Sequence, residues 1–251
     1  MNRLSFFAFA FCAAAWLTAL LENSTPPAGD WATIVLLSMA AAATLLNLSR
    51  SLPAQNVLAA VLVIVIVSDL AQLAGIRSGC FVAPLSYINP SGPKSFNPWL
   101  TPLAWVVAVL NSRGVARLVL RPWRSSHNYG LWAIAVTCAL VFMLDACLDL
   151  ADWHIDDWRA AAACIVSTLA IVVLAVPWLI NKRPGPQPPP DWQPFMIWQI
   201  LNVLLAFAEA AQHAPSAAVF HITVGAVIAI AALRANSRRP AVASSQSSAR
   251  S

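Results

Sequence analysis

Eight apolar runs, each about 15 to 23 residues long, alternate with short polar or proline-bearing segments along the chain. They fall at 4–21, 31–48, 55–74, 98–112, 130–151, 158–180, 195–212 and 215–234. A helix of about 20 apolar residues matches the hydrocarbon thickness of a bilayer. Backbone amides in hydrocarbon must be paired within their own segment or in a closed barrel. A barrel strand would alternate apolar and polar positions, and these runs do not alternate. The pattern therefore predicts eight helices. The fourth run is the shortest and opens among prolines.

Composition turns a helical reading into a membrane reading. Of 251 residues, 59% are hydrophobic and 10% charged, and the mean hydropathy is +0.69. A soluble domain carries about 25% charged residues, so lipid must be much of this chain's solvent. The expected fold class is all-α, a polytopic transmembrane bundle of about eight helices with the lipid bilayer as its partner. The first run exceeds the roughly 7–15 residues of a signal-peptide core and reads as the first span. Residues 1–238 form a single transmembrane domain in this reading. Residues 184–190 form an extended polyproline loop, and residues 239–251 a disordered, Ser-rich cytoplasmic tail.

Charge sets the orientation. The formal net charge is +5, but the basic residues gather at helix ends. With the amino terminus inside, Arg3, Arg50, Arg113, Arg117, Arg121, Arg124, Lys182, Arg183, Arg234, Arg238, Arg239 and Arg250 fall in inner segments. Only Arg77, Lys94 and Arg159 fall outside, twelve against three. The positive-inside rule then places both termini in the cytoplasm, as for a multi-pass protein of a bacterial cytoplasmic membrane. No exposed basic face of the kind nucleic acid needs is left. The cysteines show neither disulfide nor metal-ligand spacing: Cys12, Cys138, Cys147 and Cys164 lie in apolar runs and Cys80 stands alone.

The acids carry the candidate chemistry. Of ten, only Asp191 falls on the inner side. Asp69 lies near the outer end of the third helix, Asp145 and Asp149 near that of the fifth, and Glu209 near that of the seventh. Asp145 and Asp149 are four apart and share a face. Gln72 follows Asp69 by three, Asn202 shares a side of the seventh helix with Gln199 and Glu209, and His221 enters from the outer end of the eighth. An ionisable group within a span costs at least about 2.5–3.5 kcal/mol, and a function is the default reading. Clustered, desolvated carboxyls favour retention of a proton, which makes them proton donors. Structural hydrogen bonding between helices is the bland alternative for each. The eleven tryptophans read mainly as an interfacial belt, with Trp105 assigned to a pocket.

The stretch from Gly75 to Trp105 carries Gly-Ile-Arg-Ser-Gly, then Tyr-Ile-Asn-Pro-Ser-Gly-Pro-Lys, then Pro-Leu-Ala-Trp. It resembles the carotenoid biosynthesis membrane family, which includes carotenoid 1,2-hydratases such as bisanhydrobacterioruberin hydratase. Gly75, Gly79, Tyr87, Gly92, Pro93, Lys94, Pro102, Leu103, Ala104 and Trp105 match that pattern in order. Asp145 to Asp149 resembles an Asp-rich helix end of the family. Four positions depart from it: Gln72 stands where a Glu is usual, Leu85 for a Tyr, Asn89 for an Asp and Leu150 for a Pro. The family's Asn-Phe-x-Gly-Trp-like segment is absent.

The resemblance implies a long isoprenoid or carotenoid substrate and hydration of a carbon–carbon double bond at its end group. Such a hydro-lyase reaction needs an acid to protonate one alkene carbon and a base to activate the captured water. It needs no redox cofactor. Asp69 or Asp145 would donate, Glu209 or Asp149 would partner the water, and Tyr87 and Trp105 would flank the cation. Gln72, Asn202 and His221 complete the substrate pocket. A proton-coupled transporter would use the same acids as a relay, with helix breaks at mid-membrane. A prenyl-diphosphate enzyme would hold Mg²⁺ on Asp145, Asp149 and Asp152 and needs more outer basic residues than are present. A non-catalytic membrane scaffold is the third alternative.

Overall fold

The computed structural model describes residues 3–23, 30–78, 84–85, 88, 100–145, 158–180, 190–211 and 215–237. Among them are eight α-helices: α1 (Arg3–Asn23), α2 (Asp30–Leu48), α3 (Ala54–Ser78), α4 (Leu100–Val119), α5 (Tyr129–Asp145), α6 (Trp158–Ala175), α7 (Gln193–Ala211) and α8 (Pro215–Ser237). Six of them, all but α5 and α6, are long and apolar enough to cross a membrane; α5 and α6 are shorter apolar helices. A 3-10 turn, Val176–Leu179, continues α6. Tyr87, Asp149 and Asp152 lie outside the described residues, as do residues 181–189 of the proline-rich loop and the tail 239–251.

α4 is the hub. It packs against α2, α3, α5, α7 and α8, and nearly every one of its residues is buried. This corrects the reading of the fourth run, which ended the helix at residue 112 and placed Arg113 and Arg117 in a loop. The helix continues through both arginines to Val119. α4 is solvated by other helices, so it tolerates polar groups that a lipid-facing span could not. Asn111 accepts a hydrogen bond from Thr44 at 3.0 Å, and Ser112 Oγ accepts one from Trp198 Nε1 at 3.1 Å. Trp198 thus belongs to the core and not to an interfacial belt, whereas Trp31, Trp123 and Trp132 are exposed.

Cross-helix hydrogen bonds sort the bundle into two ends. At one end Asn47 donates to Asp191, Arg113 to the Leu179 carbonyl, and Arg121 to Asn236. At the other, Thr33 donates to the Ile88 carbonyl at 3.0 Å, the Leu85 amide to the Leu144 carbonyl at 3.2 Å, and Gln72 to Thr101 at 2.7 Å. Leu85, at φ 63°, and Ile88 are buried, so this part of the Gly75–Trp105 stretch folds back onto the helix ends.

Candidate functional site

The second end holds a buried polar chain between α7 and α8. Along α7, Gln199, Asn202 and Glu209 recur on one side and meet α8. His221 and Glu209 are each 0% exposed. His221 Nε2 lies 3.1 Å from Glu209 Oε1, and His221 Nδ1 lies 2.8 Å from Asn202 Oδ1. Asn202 Nδ2 donates to the His221 carbonyl at 2.7 Å, and Gln199 Nε2 donates to the Gly225 carbonyl at 2.9 Å. Gly225 makes this contact feasible. A Cβ there would come within 2.9 Å of both Asn202 Nδ2 and Gln199 Oε1.

The donor and acceptor roles follow from chemistry. A carbonyl only accepts, so the Asn202 amide nitrogen must face the His221 carbonyl. Its oxygen therefore faces Nδ1, which must carry a hydrogen. The other ring nitrogen and Glu209 Oε1 then share one proton between them, since a hydrogen bond needs one. The second carboxyl oxygen, Oε2, is buried with no hydrogen-bond partner among the described residues. Asn202 thus holds the His221 ring from one nitrogen, and Glu209 meets the other. Such a chain is competent to give or take a proton at Oε2.

Depth can be counted along the helices. From the Trp198–Ser112 bond, Thr101 and Glu209 each lie eleven residues further toward the same end, roughly 16 Å at 1.5 Å per residue. Gln72 is bonded to Thr101 and His221 to Glu209, so by this count the two pairs lie at a similar depth. Gln72 lies on α3 and Glu209 on α7, both of which pack against α4. Asp69 sits one turn before Gln72, half-buried, beside the exposed apolar residues Ile66, Leu70 and Leu73. Trp105 lies one turn inward of Thr101 and is fully buried, its Nε1 without a partner among the described residues. Asp145 closes α5 immediately after Leu144, whose carbonyl holds the Leu85 amide.

Sequence reasoning missed Thr101 and Gly225. Thr101 gives no periodic signal, because its partner is 29 positions away. Gly225 looks like an ordinary small residue until Gln199 and Asn202 are seen against it.

Residues 29–163 match the family model described as carotenoid biosynthesis protein. The match takes in α2 to α5 and the start of α6, with Asp69, Gln72, Trp105 and Asp145; Asn202, Glu209 and His221 lie beyond it. No curated protein and no solved structure matches the chain.

Proposed function

From the fact that the chain belongs to the carotenoid biosynthesis protein family, we propose that it adds water across a carbon–carbon double bond at the end group of a long isoprenoid. The observation that carries this reading is the buried Asn202–His221–Glu209 chain, which ends in a carboxyl oxygen without a partner among the described residues.

In this reading Asp69 on α3 or Asp145 on α5 gives a proton to one alkene carbon. The other alkene carbon becomes a tertiary cation, and the face of Trp105 is suited to lie against it. A water oxygen bonds to the cation, and its surplus proton passes to Glu209, with His221 behind it as the store. The donor acid is reprotonated from solvent. The net change is one hydrogen and one hydroxyl added, with no oxidation. The exposed apolar strip of α3 beside Asp69 gives a lipophilic chain a route from the bilayer to the acid.

The test is expression of the chain beside an acyclic carotenoid pathway, with pigments resolved by chromatography and mass spectrometry. A product heavier than its precursor by one water, absent with Asp69→Asn or Asp145→Asn, supports the assignment of the donor. Unchanged product with both variants removes both acids from the role.

A further inference from the structure

Four arginines converge on one cleft at the opposite end of the bundle. Arg113 and Arg117 stand one turn apart on α4, Arg121 opens a 3-10 turn (Arg121–Trp123), and Arg124 follows it. With Tyr129 and Asp191 they line a small cleft of about 60 Å³. Spacing of four along α4 turns Arg113 and Arg117 to one face. Arg113 is only 3% exposed and lies within electrostatic reach of Arg117, Tyr129 and Asp191.

The charge does not cancel within the cleft. Among the described residues Asp191 is the one carboxylate in the lining, and it is already engaged by Asn47 and by the Gln193 amide at 3.1 Å. Arg113 and Arg121 are held in place by the Leu179 carbonyl and Asn236. Membrane orientation alone explains basic residues on solvated loops, and Arg50 and Arg234 at this end are exposed in that way. It does not explain four arginines lining one partly desolvated cleft, where like charges repel more strongly than in water. An oxyanion with several acceptor oxygens offsets that repulsion and suits the planar guanidinium fork.

We propose that this cleft binds a phosphate oxyanion, carried by an anionic phospholipid headgroup or by a free phosphate ester. The site stands apart from the hydration chemistry, so either can fail without the other. The measurement uses the full chain, with pyrophosphate added to detergent-purified protein and with nanodiscs of phosphatidylcholine with or without phosphatidylglycerol. Saturable pyrophosphate binding identifies free phosphate as the ligand; phosphatidylglycerol retained in native mass spectra, without pyrophosphate binding, identifies the headgroup. Arg117→Gln with Arg124→Gln should weaken the positive probe about tenfold or more, while Arg50→Gln with Arg234→Gln should leave it within about twofold. Arg124→Gln alone gives a several-fold loss and serves if the double variant does not fold. Saturable binding of neither probe, or equal loss in the two double variants, overturns the proposal.

Discussion

His221 Nε2 and Glu209 Oε1 lie 3.1 Å apart with both residues fully buried, and Asn202 fixes the ring from its other nitrogen. Glu209→Gln keeps the shape and can still donate to Nε2, but it has no acidic proton to exchange. The variant should insert and elute as the parent does, while hydrated product falls by about 10²–10⁴-fold. Pigment mass spectrometry against protein level measures this. Parental product from Glu209→Gln would remove Glu209 from the chemistry.

Asn202→Ala removes both side-chain contacts of His221 on that side; the carbonyl keeps its helical N–H partner within α8, but the Nδ1 hydrogen is left unpaired in a dry interior. An unpaired buried group costs about 1–3 kcal/mol. Thermal unfolding in detergent should therefore fall clearly below the parent. A parental transition would mean that the amide does not anchor the ring.

Gly225→Ala places a methyl group against Asn202 Nδ2 and Gln199 Oε1, each 2.9 Å from the new carbon. Neither amide is free to move away, because each is committed to a carbonyl of α8. Overpacking of this kind costs about 1–3 kcal/mol. The expected result is a lower unfolding temperature together with reduced product, as α8 shifts His221 from Glu209. Unaltered stability and product would show that the α7–α8 contact is looser than this packing implies.

Much of this arrangement was legible in the sequence, and the gaps have physical reasons. The helices follow from the apolar runs, and the common depth of Glu209 and His221 follows from their places near adjoining helix ends. The span of α4 was not legible, because hydropathy reads each helix as if lipid surrounded it. Arg113 and Arg117 therefore resembled loop residues, although α4 is enclosed by protein. Their convergence with Arg121 and Arg124 was hidden for the same reason, since the charge pattern marks only a membrane side. Pairings such as Gln72 with Thr101 depend on helix rotation, which no run of apolar residues specifies. Tyr87 and Asp149 lie outside the described residues, so their roles rest on the sequence alone.

Orientation in the membrane is open to a direct check. The distribution of twelve against three basic residues predicts an arginine end in the cytoplasm, with both termini on that side. Reporter fusions after Arg124 and after Arg183 should read cytoplasmic, and fusions after Asp30 and after Asp157 the opposite side. Reversal at two of these sites would contradict the topology.

Hydration is tested most directly by following the oxygen. Membranes containing the chain are incubated with an acyclic carotenoid in water enriched in heavy oxygen, and the pigments are analysed by mass spectrometry. The proposed reaction places one labelled hydroxyl, and one solvent hydrogen, on the precursor. The label should disappear with Glu209→Gln. A product without label, or no product from the parent across acyclic carotenoids, would contradict the hydration reading.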